Sequence, residues 1–247
     1  MKVLITFAVD AEFRPWRKKR EFRLRKDGPL NMNCARFGSL ELQVVLTGIG
    51  GKNSAWTEST FDQDIDVCIS SGLSGALRPE YPAGDILLPD YVTDASGRKV
   101  ECDRELREVA VRMGGREVEC FYSTDSVMIS AVEKRALGAS ADAVDMETAE
   151  VLAEAADAGA RVLAIRAISD SVDEDLPLDF NRVTTGTGEV SIGRVLGQVA
   201  LHPSKVPSLV RFGRQSGMAA DRLCEFLDRY IEGLSKRLPS MSKEAAR

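Results

Sequence analysis

The chain has 247 residues, 44% of them hydrophobic, and a formal net charge of -5. That length and composition can bury a substantial core, and a single domain is expected over residues 1–233 with a polar tail over 234–247. The acidic balance excludes a general affinity for nucleic-acid backbones, so no nucleic-acid partner is expected and small-molecule work is the default.

Lys2 to Ala8 reads as a first strand. It runs into Asp10 and Glu12 too soon to be the apolar core of a secretory signal. Val9-Asp10-Ala11-Glu12-Phe13 puts carboxylates just past that strand's carboxyl end, the edge where open α/β sheets bind ligands. Glu12 is therefore a candidate acid, although its spacing alone better suits a first-turn acid favoured by the helix dipole. Arg14 to Lys26 is strongly basic, which fits either a solvated face or an anion contact. Leu40 to Leu46 reads as a strand that ends in Thr47-Gly48-Ile49-Gly50-Gly51-Lys52-Asn53, before a helix at about 54–62. Glycine there lets the backbone approach a ligand, but the flanks of a triphosphate or dinucleotide loop are missing. Val67 to Ser71 predicts a short buried strand ending in a second glycine loop, Gly72-Leu73-Ser74-Gly75-Ala76-Leu77, rich in hydroxyls and backbone N–H groups.

Pro82-Ala83-Gly84-Asp85 turns into another strand, a polar helix follows at about Arg104 to Met113, and Val118 to Tyr122 adds a strand. A helix is expected to begin within Ala143–Glu150 and run to about Ala158, with Glu147 in its first turn and Glu150, Glu154 and Asp157 on a wetted face. Val162 to Ile168 is a short apolar run that stops at Ser169-Asp170, as a buried strand delivering an acid to a sheet edge would. Taken locally, Asp170 reads rather as the cap of a following turn. Ser171 to Asp179 predicts a loop over the site, and two helices are expected from Gly188 to about Leu234, separated by His202-Pro203-Ser204. The regular alternation predicts an α/β sheet between helices.

The five cysteines are scattered, with no Cys-x-x-Cys pair, so reduced thiols in a cytoplasmic protein are expected and neither a zinc site nor a disulfide framework is. No apolar run approaches the length of about 20 residues that spans a bilayer. The single histidine, His202, lies far from every other candidate group. Catalysis must therefore run on carboxylates.

Four segments in one order, Ala8-Val9-Asp10-Ala11-Glu12, Gly48-Ile49-Gly50 with Asn53, Gly72-Leu73-Ser74-Gly75-Ala76-Leu77 with Gly84-Asp85, and Val144-Asp145-Met146-Glu147 with Arg166-Ala167-Ile168-Ser169-Asp170, resemble the nucleoside phosphorylase and nucleosidase superfamily. Within it, the chain is similar to the methylthioadenosine/S-adenosylhomocysteine nucleosidase branch. The resemblance implies an α/β three-layer sandwich with a central mixed sheet, and cleavage of a purine N-glycosidic bond with no metal and no cofactor. It gives Asp170, oriented by Ser169, the task of protonating the base. Glu147 would hold the ribose with Met146 packed on the sugar, and Glu12 would activate water. Ile49, Ser74, Gly75, Val127 and Met128 would touch the nucleoside substrate, with Val127-Met128 standing where adenine-specific nucleosidases carry an aromatic residue. Leu201-His202-Pro203-Ser204-Lys205-Val206-Pro207-Ser208-Leu209 is similar to hopanoid-associated phosphorylase-like members, which leaves room for a peripheral membrane contact. The family also implies a homodimer. A phosphorolytic enzyme and a catalytically silent nucleoside-binding protein remain open alternatives.

Overall fold

The structure is a computed structural model and describes residues 1–26, 31–51, 64–183, 185, 198, 201 and 203–244. In chain order, β1 (Lys2–Phe7) leads into α1 (Asp10–Lys19), followed by β2 (Arg23–Arg25), β3 (Met32–Phe37), β4 (Leu40–Leu46), β5 (Val67–Ala76), β6 (Ile86–Asp94) and β7 (Lys99–Glu101). Then come α2 (Arg104–Arg112), β8 (Arg116–Ser123), α3 (Ala131–Leu137), β9 (Ala143–Asp145), α4 (Thr148–Asp157), β10 (Arg161–Asp170), α5 (Phe180–Val183) and α6 (Val206–Glu244).

The strands form one mixed sheet flanked by helices, as expected. Strands β4, β1, β5 and β10 lie side by side and parallel, so their carboxyl ends share one edge. They are almost wholly buried, which is why they read as continuous apolar runs rather than alternating ones. Part of the sheet departs from an open sandwich layer. β5 pairs β10, β10 pairs β6, β6 pairs β8, β8 pairs β9, and β9 returns to β5, closing a ring. Twist accumulated along the two ten-residue strands β5 and β10, together with a bulge near the end of β10, lets the edges meet.

Helix α6 packs on α1, α2 and β10, while α4 packs on β5 and β10. Leu223, Phe226, Leu227, Tyr230, Ile231 and Leu234 recur at helical spacing and are all buried, forming the stripe by which α6 enters the core. Burying each such side chain contributes about 2 kcal/mol. Asp228 ties the helix to α1, accepting from Trp16 Nε1 (3.0 Å) and from Arg20 Nε and Nη2 (2.8 and 2.9 Å).

Several sequence expectations shift. Gly72 to Ala76 is not a loop but the second half of β5, held in the ladder by β10 and β9. Ala143 to Asp145 is strand β9, because pairing with β8 and β5 outweighs helix propensity, and the helix starts only at Thr148. Leu234, where a polar tail was expected to begin, is buried, and the helix backbone continues to Glu244. The expected helix at 54–62, Lys52, Asn53, His202 and most of the segment from Gly188 to Ala200 lie outside the described residues. None of the five cysteines, all among the described residues, is in a disulfide. Among the described residues, no helix is long and apolar enough to cross a membrane.

Candidate active site

One cavity of about 410 Å³ opens at the shared carboxyl edge of the parallel strands. The residues that the family resemblance assigns to catalysis or substrate contact line it: Glu12, Ile49, Ser74, Gly75, Val127, Met128, Met146, Glu147, Ser169 and Asp170. Its three glutamate and aspartate candidates arrive on different elements: Glu12 on the first turn of α1, Glu147 ahead of α4, and Asp170 at the end of β10.

The bulge in β10 explains how two consecutive residues can share one side of a strand. The register slips between Ile168 and Asp170, so Asp170 faces Gly75 across the ladder. Ser169 Oγ then reaches Asp170 Oδ1 at 2.6 Å, and both side chains border the cavity. Gly75 has no side chain to block this approach; a Cβ there would sit 3.2 Å from Asp170 Oδ2. Oδ2 accepts from the ammonium of Lys134, a fully buried lysine that the sequence analysis passed over.

Glu12 serves both of its sequence readings at once. As the third residue of α1 it reaches back to the helix start, where Oε2 accepts the N–H groups of Ala8 (3.0 Å) and Val9 (3.3 Å). Oε1 accepts the Leu73 N–H at 2.9 Å, which pins the carboxylate against β5. Gly72 makes this possible. Its φ of 148° lies where side chains are rarely tolerated, and a Cβ there would fall on the Arg166 guanidinium and 3.0 Å from Glu12 Oε1. Burial holds the Glu12 carboxyl above the ordinary range, opposed by Arg166 and by the backbone N–H bonds.

Arg166, in the interior of β10, is itself fully buried beneath the site. It donates to Ser71 O (2.9 Å), Thr148 Oγ1 (2.6 Å) and Asp145 Oδ2 (3.1 Å), and lies 3.7 Å from Glu147 Oε2. Asp145 meanwhile caps α4 by accepting the N–H groups of Glu147 (3.2 Å) and Thr148 (3.1 Å), and receives the Ser123 hydroxyl at 2.7 Å. Glu147 is thus held at the cavity wall by the turn that starts its helix. Its Oε1 accepts the N–H of Gly50 at 2.8 Å, an N–H aimed by the positive φ of 69° at that glycine. The Gly48-Ile49-Gly50 turn therefore spends a backbone donor on Glu147 rather than on a ligand, while Ile49 borders the cavity.

Burial pushes the Glu147 carboxyl up to about 7; Arg166 opposes the rise and Asp145 adds to it. A raised carboxyl binds a proton in the folded protein at a pH where the unfolded chain has released it. Stability is therefore fully present below the unfolded value near 4.5 and is lost as pH climbs to about 7. Glu12 acts in the same sense, whereas Asp103 and Asp228, whose carboxyls are lowered against the opposing effect of burial by Arg161 and Arg20 respectively, act only at more acid pH. The melting temperature is expected to rise as the buffer goes from pH 8 to pH 5.5, with a smaller rise in Glu147→Gln. Equal slopes in scanning calorimetry would contradict the assignment.

The remaining walls are largely apolar. Val127 is clasped by Asn181, whose Oδ1 accepts the Val127 N–H (2.7 Å) and whose Nδ2 donates to its carbonyl (3.0 Å). Phe180 and Phe212, with ring centroids 5.4 Å apart, line the cavity where the sequence offered no aromatic residue at 127–128. Leu176 places the predicted 171–179 loop on the cavity wall. The basic block turns elsewhere: Arg14 and Arg17 pair with Asp10, Lys19 with Glu225, and Arg20 with Asp228 and Glu232. Among the described residues, Lys134 is the only basic side chain on the cavity wall. No cluster of potential metal ligands occurs among them either.

Buried carboxylates facing an apolar hollow, one with a neighbouring cation and one with a carboxyl near neutrality, can move protons at two ends of a bound molecule. No curated protein sequence matches the chain at a significant level. Solved structures of similar fold include a futalosine hydrolase mutant of Helicobacter pylori, with TM-score 0.68 and 17% identity over 94% of this chain and 99% of that one. The 5′-methylthioadenosine/S-adenosylhomocysteine nucleosidase of Campylobacter jejuni gives TM-score 0.69 and 18% identity, covering 94% and 99% of the two chains. The corresponding S. pneumoniae enzyme, solved with the transition-state inhibitor MT-ImmA, gives 0.70 and 17% over 95% and 100%. These likenesses show a shared mixed α/β fold of the nucleoside phosphorylase type. Residues 31–200 match the family model of the phosphorylase superfamily. With more than half of its length matching that model, the chain belongs to the phosphorylase superfamily.

Proposed function

We propose that the protein cleaves the N-glycosidic bond of an adenosine-type purine nucleoside with water as the nucleophile. The observation that carries this reading is the convergence of Asp170, Glu147 and Glu12 on one largely apolar cavity. A purine anion is a poor leaving group, so the base must be protonated as it departs, and Asp170, steadied by Ser169, is the group assigned to N7. The sugar left behind resembles an oxocarbenium ion, which a carboxylate at its hydroxyls stabilises. That role falls to Glu147, with Met146 against the ribose. Glu12 takes the proton of the attacking water. One acid serves the leaving group and another the nucleophile, as in other glycoside hydrolyses. Ser74 Oγ, buried and without a hydrogen-bond partner among the described residues, can meet a polar group of the substrate.

Water is favoured over phosphate by charge. A phosphate beside Glu12 would face a carboxylate, and Lys134, the one basic side chain lining the cavity among the described residues, is already engaged by Asp170. The fold relatives named as nucleosidases and a hydrolase support the same choice. Phe180 and Phe212 give an apolar end suited to the base or to a 5′ substituent. The proposal includes the homodimer that the family implies. Light scattering during size-exclusion chromatography is expected to return twice the 27.0 kDa chain mass, and a single chain mass would refute it.

The test is a panel of purine nucleosides, including adenosine and 5′-methylthioadenosine, assayed chromatographically for free base with and without phosphate. Base release with free sugar, at a rate indifferent to phosphate, is expected. Binding without any base release would instead support a silent nucleoside-binding protein.

A further inference from the structure

Helix α3 departs from the usual burial order at two positions. It exposes Val132, at 71%, and buries Lys134 completely. A lysine is almost never fully buried unless it is paired, because removing an ammonium from water costs several kcal/mol. Lys134 is fully satisfied: Nζ donates to Asp170 Oδ2, to the Ser171 carbonyl (3.2 Å) and to the Glu174 carbonyl (3.0 Å). The neighbouring acids are engaged elsewhere. Asp173 pairs with Arg135, Asp175 accepts the Ala131 N–H, and Glu174 faces Arg211 and Gln215. The ammonium is therefore directed at one carboxylate, the one at the cavity wall.

We propose that Lys134 is a positioning residue for leaving-group departure: its ammonium holds the Asp170 carboxyl in place and stabilises the charge left there when the proton passes to the base. This rests on the nucleosidase reading above. As C1′–N9 breaks, its electron pair enters the imidazole ring of the base. N7 takes the proton of the Asp170 carboxyl, and the O–H electron pair stays on Asp170 as carboxylate. Lys134 keeps its protons throughout, and the negative charge grows beside a cation already in place. Water adds to C1′ and gives its proton to Glu12. Solvent then removes that proton and returns one to Asp170, so nucleoside and water become base and sugar.

The alternative is that Lys134 only ties the 171–174 backbone to α3. Leaving-group chemistry separates the two roles. 4-Nitrophenyl β-D-ribofuranoside loses a stable 4-nitrophenolate that needs no proton, whereas the purine leaving a nucleoside does need one. Lys134→Met is expected to lower kcat for the nucleoside by about 100-fold, the scale of losing one preorganised partner of a developing charge, with KM little changed. Its loss on the nitrophenyl riboside should be at least about tenfold smaller. Because the single variant leaves a carboxylate buried without its cation, the neutral pair Asp170→Asn/Lys134→Met is a second probe. If the lysine acts through Asp170, the double variant is no slower on the nucleoside than Asp170→Asn alone. Equal losses on both substrates, or a double variant slower than Asp170→Asn by the full lysine factor, would overturn the proposal. If the wild type cleaves the nucleoside but not the nitrophenyl riboside, the double-variant comparison alone decides. A wild type that cleaves neither refutes the nucleosidase reading and this inference with it. A wild type that cleaves nucleosides while the lysine variant keeps full kcat refutes only the lysine.

Discussion

Asp170→Asn is expected to lower kcat for purine nucleoside cleavage by about a thousandfold while nucleoside affinity changes by less than about tenfold, the range associated with loss of a general acid. The asparagine retains an oxygen for the Lys134 ammonium and a polar group beside Ser169, so the wall of the cavity keeps its shape. What it lacks is a proton to give. Steady-state kinetics and calorimetric titration with the same nucleoside read the two quantities separately. A variant within about threefold of the wild-type kcat would remove Asp170 from the reaction.

Glu12→Gln is expected to cost a comparable factor, about a thousandfold in kcat, for the opposite reason. The amide oxygen can still accept backbone N–H groups at the start of α1, and neutralising a carboxyl held up by burial favours the fold. Yet an amide cannot take the proton of water. Glu12→Ala adds a sharper readout, because it removes the negative charge and opens space on the nucleophile side. Azide, which needs no deprotonation and is repelled by a carboxylate, should restore base release in Glu12→Ala and yield the ribosyl azide. Asp170→Asn, impaired on the leaving-group side, should gain nothing from azide. Rescue of Asp170→Asn, with none for Glu12→Ala, would reverse the two assignments.

The candidate site was unevenly legible in the sequence. Asp170 and Glu12 could be found because each stands where an apolar run ends, and parallel strands gather such ends at one edge, whereas Glu147 follows β9, which runs antiparallel to β5. The glycines pointed to close approach, and Gly72 and Gly75 do admit neighbours that a side chain would exclude. The groups they admit, however, are the protein's own Arg166, Glu12 and Asp170, a distinction invisible without the fold. Arg166 lay within the quoted motif, but an arginine in a buried strand carries no local sign of its partners on β5, β9 and α4. Lys134 shares the inward face of α3 with Ala131 and Leu137, but a lysine there reads as solvent-facing until its partner is known. Its orientation follows from an acid 36 residues further along. Phe180 and Phe212 were hidden for a related reason: they belong to a loop-edge helix and to the carboxyl-terminal helix, brought together only by tertiary packing.

The fold shows the same division. Long buried strands were readable from composition, whereas the three-residue β9 and the edge strand β2 were not, because their existence depends on the partners that recruit them. Closure of the ring from β5 round to β9 is likewise a property of twist summed over several strands, with no single segment encoding it.

Hydrolysis at C1′ is tested most directly by running the reaction in H₂¹⁸O with excess phosphate and analysing the sugar by mass spectrometry. Free sugar carrying one ¹⁸O at C1 is expected together with released purine, at a rate that phosphate does not alter. A sugar 1-phosphate without the label would contradict it.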